Sequence, residues 1–547
     1  MNQTYDRREI LGLLGGAVAA SFKVPAATLA APETSAVRQG LVQGQPVAAR
    51  VGGEMLAAGG NAVDALVAAA LAAGVAAVHQ CGIGGYGGHM IIAMATTGKV
   101  TAVDFNSMAP AAAHEKMYPL NEQGVVRGRI NEHGWLAVGV PGTLAGLQLA
   151  LDRYGTRSFR EVVAPAIRLA AEGFPVSKDV LVAVNAAKAA IAADPALKRL
   201  FMPEGRPLAA GDTYRNPDLA KLLATLAERN SVDSFYRGDV ARHIAEEFKK
   251  HGGLVTADDL AAYQAHEVQP LQCTWHGYSI YTAPLTAGGI SVLEAIGIFK
   301  DLERRGMAGL LTNPQVRLEA LRIAWQDRLR LLGDPEKVEV PVGRLLSEEY
   351  FCASADRVAA AVQQRKPLPG PAEAANMNGT IHLCSVDSRG NMAAVTLTHG
   401  STFGARIAVE GLGLILGHGM SRFNAEPGHP NSPGPRKRPL NNMCPTVVLR
   451  DGRPAVALGG RGGRRIPNAM FEVLAQYVAA GRPMEEAVAA PRMHTVGGLT
   501  VELDKEWPAS NADELAGIGY KVQRHQPAVI SAVCFDPQTG GFRGASR

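Results

Sequence analysis

Apolar positions along this chain fall into distinct textures. After Gly59-Gly60-Asn61, the stretch to Val78 is almost continuously Ala, Val and Leu. Without a polar stripe it predicts a helix buried on all sides, with Asn61 capping its first turn. Met90–Ala95 and Val100–Phe105 are short apolar runs separated by a turn, and they predict a pair of strands. From Pro141 to about Lys250 the pattern is mostly helical, Val268–Tyr281 reads as strand, and Ser291–Leu332 reads as helix. Residues 366–379, with Pro367, Pro369 and Pro371, read as an exposed linker. Beyond it, Ile381–Val386, Met392–Thr398 and Leu412–Leu416 are strand-like. Thr446–Leu449 and Pro454–Leu458 flank Asp451-Gly452, a strong hairpin signal. Ile466–Ala480 and Met484–Ala490 read as helices. Adjacent strands among helices predict an α+β layered sandwich.

Composition narrows the function classes. The chain has 547 residues, 47% hydrophobic and 19% charged, which fits a folded rather than a disordered protein. By length alone it holds about two to four domains. Aromatics are only 5% against 61 glycines, so the core must rely on small side chains and close backbone approach. The net charge of +5 is dispersed, which reads as a solvated surface and not as a nucleic-acid interface. No internal apolar run reaches the length of about 18 residues that a membrane span needs. No long repeat is visible, which excludes solenoids and propellers. The six cysteines are widely spread without CxxC, and most read as small buried apolar residues.

At the start, Asp6-Arg7-Arg8-Glu9-Ile10-Leu11 precedes a short apolar stretch, with small residues from Ala26 to Ala31. Residues 1–31 thus resemble a twin-arginine signal peptide. The expectation is a protein folded before export, periplasmic or secreted, without a stable membrane anchor.

Most motifs fail on context. Gly82-Ile83-Gly84-Gly85-Tyr86-Gly87 matches GxGxxG, but a helix precedes it and a strand follows, the reverse of a dinucleotide site. It reads instead as a tight backbone crossing. His79 and Cys81 lack companions for a metal and read as buried structural residues. His382, His399 and His418 are each read as packed histidines.

A hydroxyl residue after Gly at a loop-to-strand boundary is ordinary by itself. In Asn376-Met377-Asn378-Gly379-Thr380-Ile381-His382 its neighbours change its meaning. Gly59-Gly60-Asn61-Ala62-Val63-Asp64, Asp104-Phe105, Val140-Pro141-Gly142-Thr143 and Phe235-Tyr236-Arg237-Gly238 precede it. Asp387, Gly390-Asn391, Thr402-Phe403-Gly404, Lys437-Arg438-Pro439-Leu440 and Gly462-Gly463 follow. With these ordered matches the chain resembles the γ-glutamyltranspeptidase family of N-terminal nucleophile (Ntn) hydrolases, almost end to end after the signal.

The resemblance implies a four-layer αββα sandwich formed jointly by two chains after self-cleavage between Gly379 and Thr380. Residues 32–379 would form the large chain and residues 380–547 the small one, held as a heterodimer. Thr380 would be the nucleophile, its freed α-amine the base, with Thr398 orienting it and the Gly462 and Gly463 N–H groups forming the oxyanion hole. The resemblance also implies a small-molecule amide as the partner, with no metal or organic cofactor needed.

The substrate half departs from the family pattern. Where relatives place an Arg that holds an α-carboxylate, this chain has Asn106. Asn441-Asn442 replaces a Ser-Ser pair, Gly400 an Asn, and Gly419 a Gln. Arg422 stands where an acidic residue would hold an α-ammonium. Arg422, with Arg461, Arg464 or Arg465, reads as a clamp for a carboxylate. The expectation is a Thr-nucleophile amidohydrolase or acylase for an anionic acyl group lacking the α-amine, of the dicarboxylic half-amide type. The alternatives are a γ-glutamyl transferase or glutathione hydrolase with a rebuilt pocket, and a periplasmic binding homologue without turnover.

Overall fold

The computed structural model describes residues 39–370 and 379–547. The signal-like residues 1–31, and residues 371–378 of the linker, lie outside the described residues.

Two six-stranded sheets form the centre. In the first, Gly40–Gln43, Thr380–Asp387, Met392–Thr398, Gly87–Met94, Lys99–Asn106 and His266–Val268 lie side by side in that order. In the second, the order is Gly541–Ser546, Val529–Asp536, Arg453–Arg461, Thr446–Arg450, Tyr278–Thr282 and Leu271–Trp275. Every pairing within them is antiparallel. Each sheet therefore draws strands from both sides of the Gly379–Thr380 junction.

Strand alternation builds the layers. Cys384, Val386, Met392 and Ala394 of the first sheet meet Val447, Leu449, Ala457 and Val533 of the second in one apolar layer. Their neighbours Leu383, Ala393 and Val395 turn the other way, onto the helices Pro46–Ala57 and Ala62–Ala76. Val448, Val456, Leu458 and Ile530 turn outward from the second sheet, onto the helices Gly289–Arg304 and Arg465–Leu474. The result is the αββα sandwich. The Ala62–Ala76 helix is buried at all 15 of its residues, which is why it carries no polar stripe. Asn61 caps it, accepting from Val63 and Asp64, while Asp64 accepts from the Asn61 N–H in return.

The structure corrects several boundaries. Val268–Tyr281 is not one strand: His266–Val268 joins the first sheet, whereas Leu271–Trp275 and Tyr278–Thr282 join the second. Ser291–Leu332 splits into two helices, the second being Pro314–Leu331 with Asn313 as its cap. Leu412–Leu416 contracts to the two-residue strand Leu414–Ile415. The Asp451-Gly452 hairpin has both central residues at positive φ, 51° and 74°, as a tight primed turn requires.

The Pro314–Leu331 helix ties the two sides of the linker together. Arg317 pairs with Glu472 at 3.0 Å, Arg322 donates to the Gly498 carbonyl at 2.8 Å, and Trp325 donates to Asn468. Toward the linker, Glu319 accepts the Leu368 N–H at 3.1 Å and Gln326 donates to the Pro369 carbonyl at 2.9 Å.

Leu383 is fully buried between the first sheet and its helices. Leu383→Ala is expected to destabilise the protein by about 2–5 kcal/mol, read as a lower urea midpoint. A loss below about 1 kcal/mol would mean that this layer is not close-packed.

Candidate active site

The site is built on the hairpin Thr380–Asp387 and Met392–Thr398. Asp387 sets its turn, accepting the N–H groups of Arg389 and Asn391 and the Asn391 side chain, and it also takes the Ala62 N–H at 3.0 Å. The pairing that follows from this turn puts Met392 opposite Val386 and Thr398 opposite Thr380. The Gly82–Gly88 crossing holds the other side of Thr398, where Gly87 pairs with it and Tyr86 N–H donates to its carbonyl at 3.1 Å. A Cβ on Gly85 would lie 2.9 Å from that same carbonyl oxygen, so only glycine admits the crossing.

Three hydrogen bonds meet at the Thr398 hydroxyl. It donates to the Gly379 carbonyl, accepts the Gly400 N–H at 2.8 Å, and lies 2.9 Å from the Thr380 hydroxyl. A hydroxyl has one proton and two lone pairs. With its proton on Gly379, Thr398 must accept from Thr380, so the Thr380 proton points away from the Gly379 carbonyl carbon. Both threonines are buried, and Gly379 packs so closely on Ser401 that a Cβ would come within 2.3 Å of its backbone.

Thr380 shares its face of the sheet with His382, and His382 packs against Gly459 of the second sheet. That strand ends at Arg461, and Gly462 follows directly. Gly379, Thr380, Thr402, Arg461 and Gly462 line one cavity of about 480 Å³. Gly462 has φ +140°, and a Cβ there would lie 2.9 Å from Ala528, so the backbone approaches without side-chain obstruction. Gly463 follows at φ +63°, immediately before the Arg465–Leu474 helix.

The arginines separate into different roles. Arg465 is spent on Glu502, at 2.6 Å. Arg461 lines the cavity. Arg422 donates to the Gly400 carbonyl, one residue from the turn that holds Thr398. Burial pushes the Tyr86 phenol up, opposed by the nearby Arg422. Burial, with Arg422 and Arg328 nearby, brings Arg464 down to about 10. Arg328 is also brought to about 10 by burial, and it donates to the Asn441 carbonyl. Neither Arg328 nor Arg422 has a carboxylate partner among the described residues.

Asn106, Asn441 and Asn442 are not among the residues that line the Thr380 cavity. Asn106 is fully buried and donates to Thr286 and to the Pro439 carbonyl, both at 2.6 Å. Arg438 reaches Asp104 at 3.3 Å, so the Asp104-Phe105 and Arg438-Pro439 motifs form one buried knot. Asn441 joins it through His89 at 2.9 Å. Asn442 sits beside Gly288. Tyr86, Arg328 and Asp179, the last of which lines the Thr380 cavity, carry no sequence signal pointing to the site: Tyr86 sits within a glycine run, Arg328 among other helix arginines, and Asp179 in a distant helical region.

Residues 48–546 match the profile of a family described as Gamma-glutamyltranspeptidase. The chain is 38% identical over 476 residues to a glutathione hydrolase proenzyme of Escherichia coli (strain K12), covering 84% of this chain and 81% of the relative. It is 34% identical over 517 residues to the acylase ACY 1 proenzyme of Pseudomonas sp. (strain SE83), covering 92% and 91%. A cephalosporin acylase from Bacillus halodurans matches in structure with a TM-score of 0.82 at 27% identity, covering 96% of this chain and 97% of that one.

Burial lowers His382 and His399 to about 3, and lowers His79 to about 4. All three are neutral in the folded protein at mildly acidic pH, while an unfolded chain takes up their protons below about 6.5. Their contribution to stability is therefore complete above about pH 6.5 and lost as pH falls toward 3 to 4. The thermal midpoint should fall across this window, with a shallower fall in His382→Asn. An identical slope in the variant would remove His382 from the account.

Proposed function

Because the chain belongs to the gamma-glutamyltranspeptidase family, and so is an Ntn-type amide-cleaving enzyme, we propose that Thr380 is its nucleophile and that its acyl pocket takes an anion without an α-amine. The Thr380 oxygen attacks the Gly379 carbonyl carbon, the Gly379–Thr380 C–N bond breaks as the hydroxyl proton passes to the departing nitrogen, and an ester forms. Water then hydrolyses the ester, leaving Gly379 with a carboxylate and Thr380 with a free α-amine. Support comes from the Thr398 hydroxyl, which donates to the Gly379 carbonyl and polarises it while accepting a hydrogen bond from the attacking hydroxyl. Residues 39–379 and 380–547 stay together because both sheets need both pieces.

An α-amine has an ordinary pKa of about 7.7 to 8.0, so near neutral pH it serves as base for its own hydroxyl. The hydroxyl adds to the substrate amide, and the oxyanion is met by the N–H groups of Gly462 and Gly463. One such donor is worth about 3 kcal/mol of barrier. The amine leaves with a proton, and water or a second amine takes the acyl group.

The observation that carries the acyl assignment is Arg422 beside Gly400 with no carboxylate partner among the described residues. An α-ammonium about 4 Å from it would be repelled by about 4 kcal/mol at an effective dielectric of about 20. A carboxylate there would be attracted by as much. The acylase relatives support this reading. The glutathione hydrolase relative supports the second, a γ-glutamyl enzyme with a rebuilt pocket. Export in folded form through the residue 1–31 signal belongs to the same proposal and is supported by the sequence pattern.

Thr380→Ala should abolish both cutting and turnover, while Thr380→Ser retains some of each. N-terminal sequencing of the shorter piece should read Thr-Ile-His, and any other start in an active preparation would refute the nucleophile. Glutaryl-4-nitroanilide should be turned over and γ-glutamyl-4-nitroanilide rejected. Efficient turnover of the γ-glutamyl compound alone would reverse the acyl assignment.

A further inference from the structure

Thr380 has two flanks. On one lies Thr398 in the neighbouring strand, with Gly400 and Arg422 beyond it. On the other, the segment Gly44–Val47 borders a second cavity of about 300 Å³. This chamber shares His79, Gln80, Asp179, Arg461 and Val529 with the cavity that holds Thr380, so the two adjoin along one wall. His382 lines it, one step along the strand from Thr380 and on the same face.

The chamber has a mixed lining, with His79, Gln80, Asp179, His382 and Arg461 set among apolar residues, and it contains unfilled positions. His382 bonds Thr396 through Nδ1 at 2.9 Å, but its buried Nε2 has no partner among the described residues. His79 touches Gln80 through Nε2 at 3.0 Å, and its buried Nδ1 has none. The Arg461 side chain makes no hydrogen bond or ion pair with a described residue, although it stands on the shared wall. Buried polar atoms left unsatisfied are costly, and a polar ligand of matching size relieves that cost.

We propose that this chamber receives the amine half of the substrate and that Arg461 selects amines carrying a carboxylate. The proposal rests on the reading that Thr380 is acylated with the acyl anion on the Arg422 side. An amide spanning Thr380 in that direction must send its nitrogen substituent to the opposite flank, where Arg461 meets it. The same chamber then holds an acceptor amine in the reverse sense. A C–N bond forms to the acyl carbon, the ester C–O bond breaks, and the proton lost from nitrogen goes to the Thr380 oxygen.

Two chromogenic amides with one acyl group test this: glutaryl-4-nitroanilide and glutaryl-3-carboxy-4-nitroanilide. In the purified enzyme, kcat/KM should favour the carboxylated compound by about tenfold, as one charge-assisted hydrogen bond provides, mostly through KM. Arg461→Met should bring the ratio near one, and Arg461→Lys should keep part of it. Only variants that still show two bands on a denaturing gel are compared, and the Lys variant carries the test where the Met variant does not process. If glutaryl amides are refused and γ-glutamyl amides accepted, the acyl assignment has failed. The matching γ-glutamyl pair then tests the chamber unchanged. A wild-type ratio of one, or a ratio that survives Arg461→Met, overturns the proposal.

Discussion

The Thr398 hydroxyl has one proton to give and two lone pairs to fill, and Gly379, Gly400 and Thr380 claim all three. Such an arrangement exists only if two strands are held in register to a fraction of a residue spacing, since a slip by one would turn both hydroxyls to the opposite face. The Asp387 turn fixes that register from one end and the glycine crossing fixes it from the other. The flat, small-residue packing of the neighbouring elements follows from the same requirement. Bulk at Gly85 or Gly379 would push backbone into the hydrogen-bonded centre.

Charge forms the second organising element. Arg328 and Arg422 sit within the protein without carboxylates among the described residues, near Arg464 and Tyr86. Burying cations without counterions is unfavourable unless something negative occupies the space between them. The protein bears this cost close to its nucleophile, the pattern expected where a site is shaped for its ligand and not for stability alone. Asn106, by contrast, has its amide N–H groups taken up by Thr286 and Pro439, while its buried side-chain oxygen has no partner among the described residues.

The layered architecture was legible because period and composition agree within single elements. The Ala62–Ala76 helix and the Asp451-Gly452 hairpin are local facts, decided by neighbouring residues. The switch of the chain between sheets after Val268 was not legible, because alternation says which face a residue takes but not which sheet its strand joins. The edge strands Gly40–Gln43 and Gly541–Ser546 escaped for other reasons: the first pairs with a strand hundreds of residues away, and the second is largely exposed and carries little apolar pattern. At the site, Thr380 and Thr398 were visible through motifs. Tyr86, Arg328 and Asp179 reach it from remote elements, so only the tertiary structure brings them there.

The Pro314–Leu331 helix gives the molecule a property that its covalent structure does not reveal. Its charged and amide groups bond inward to Glu472, Asn468 and Gly498 on one side, and to Leu368 and Pro369 on the other. Pulling the pieces apart would break the bonds to Glu472, Asn468 and Gly498 together and expose the apolar layers packed around them. A break at Gly379 would thus raise the number of polypeptides while leaving the kinetics of inactivation first order. Dilution should not weaken such an enzyme, and pieces made separately and mixed should not readily rebuild it.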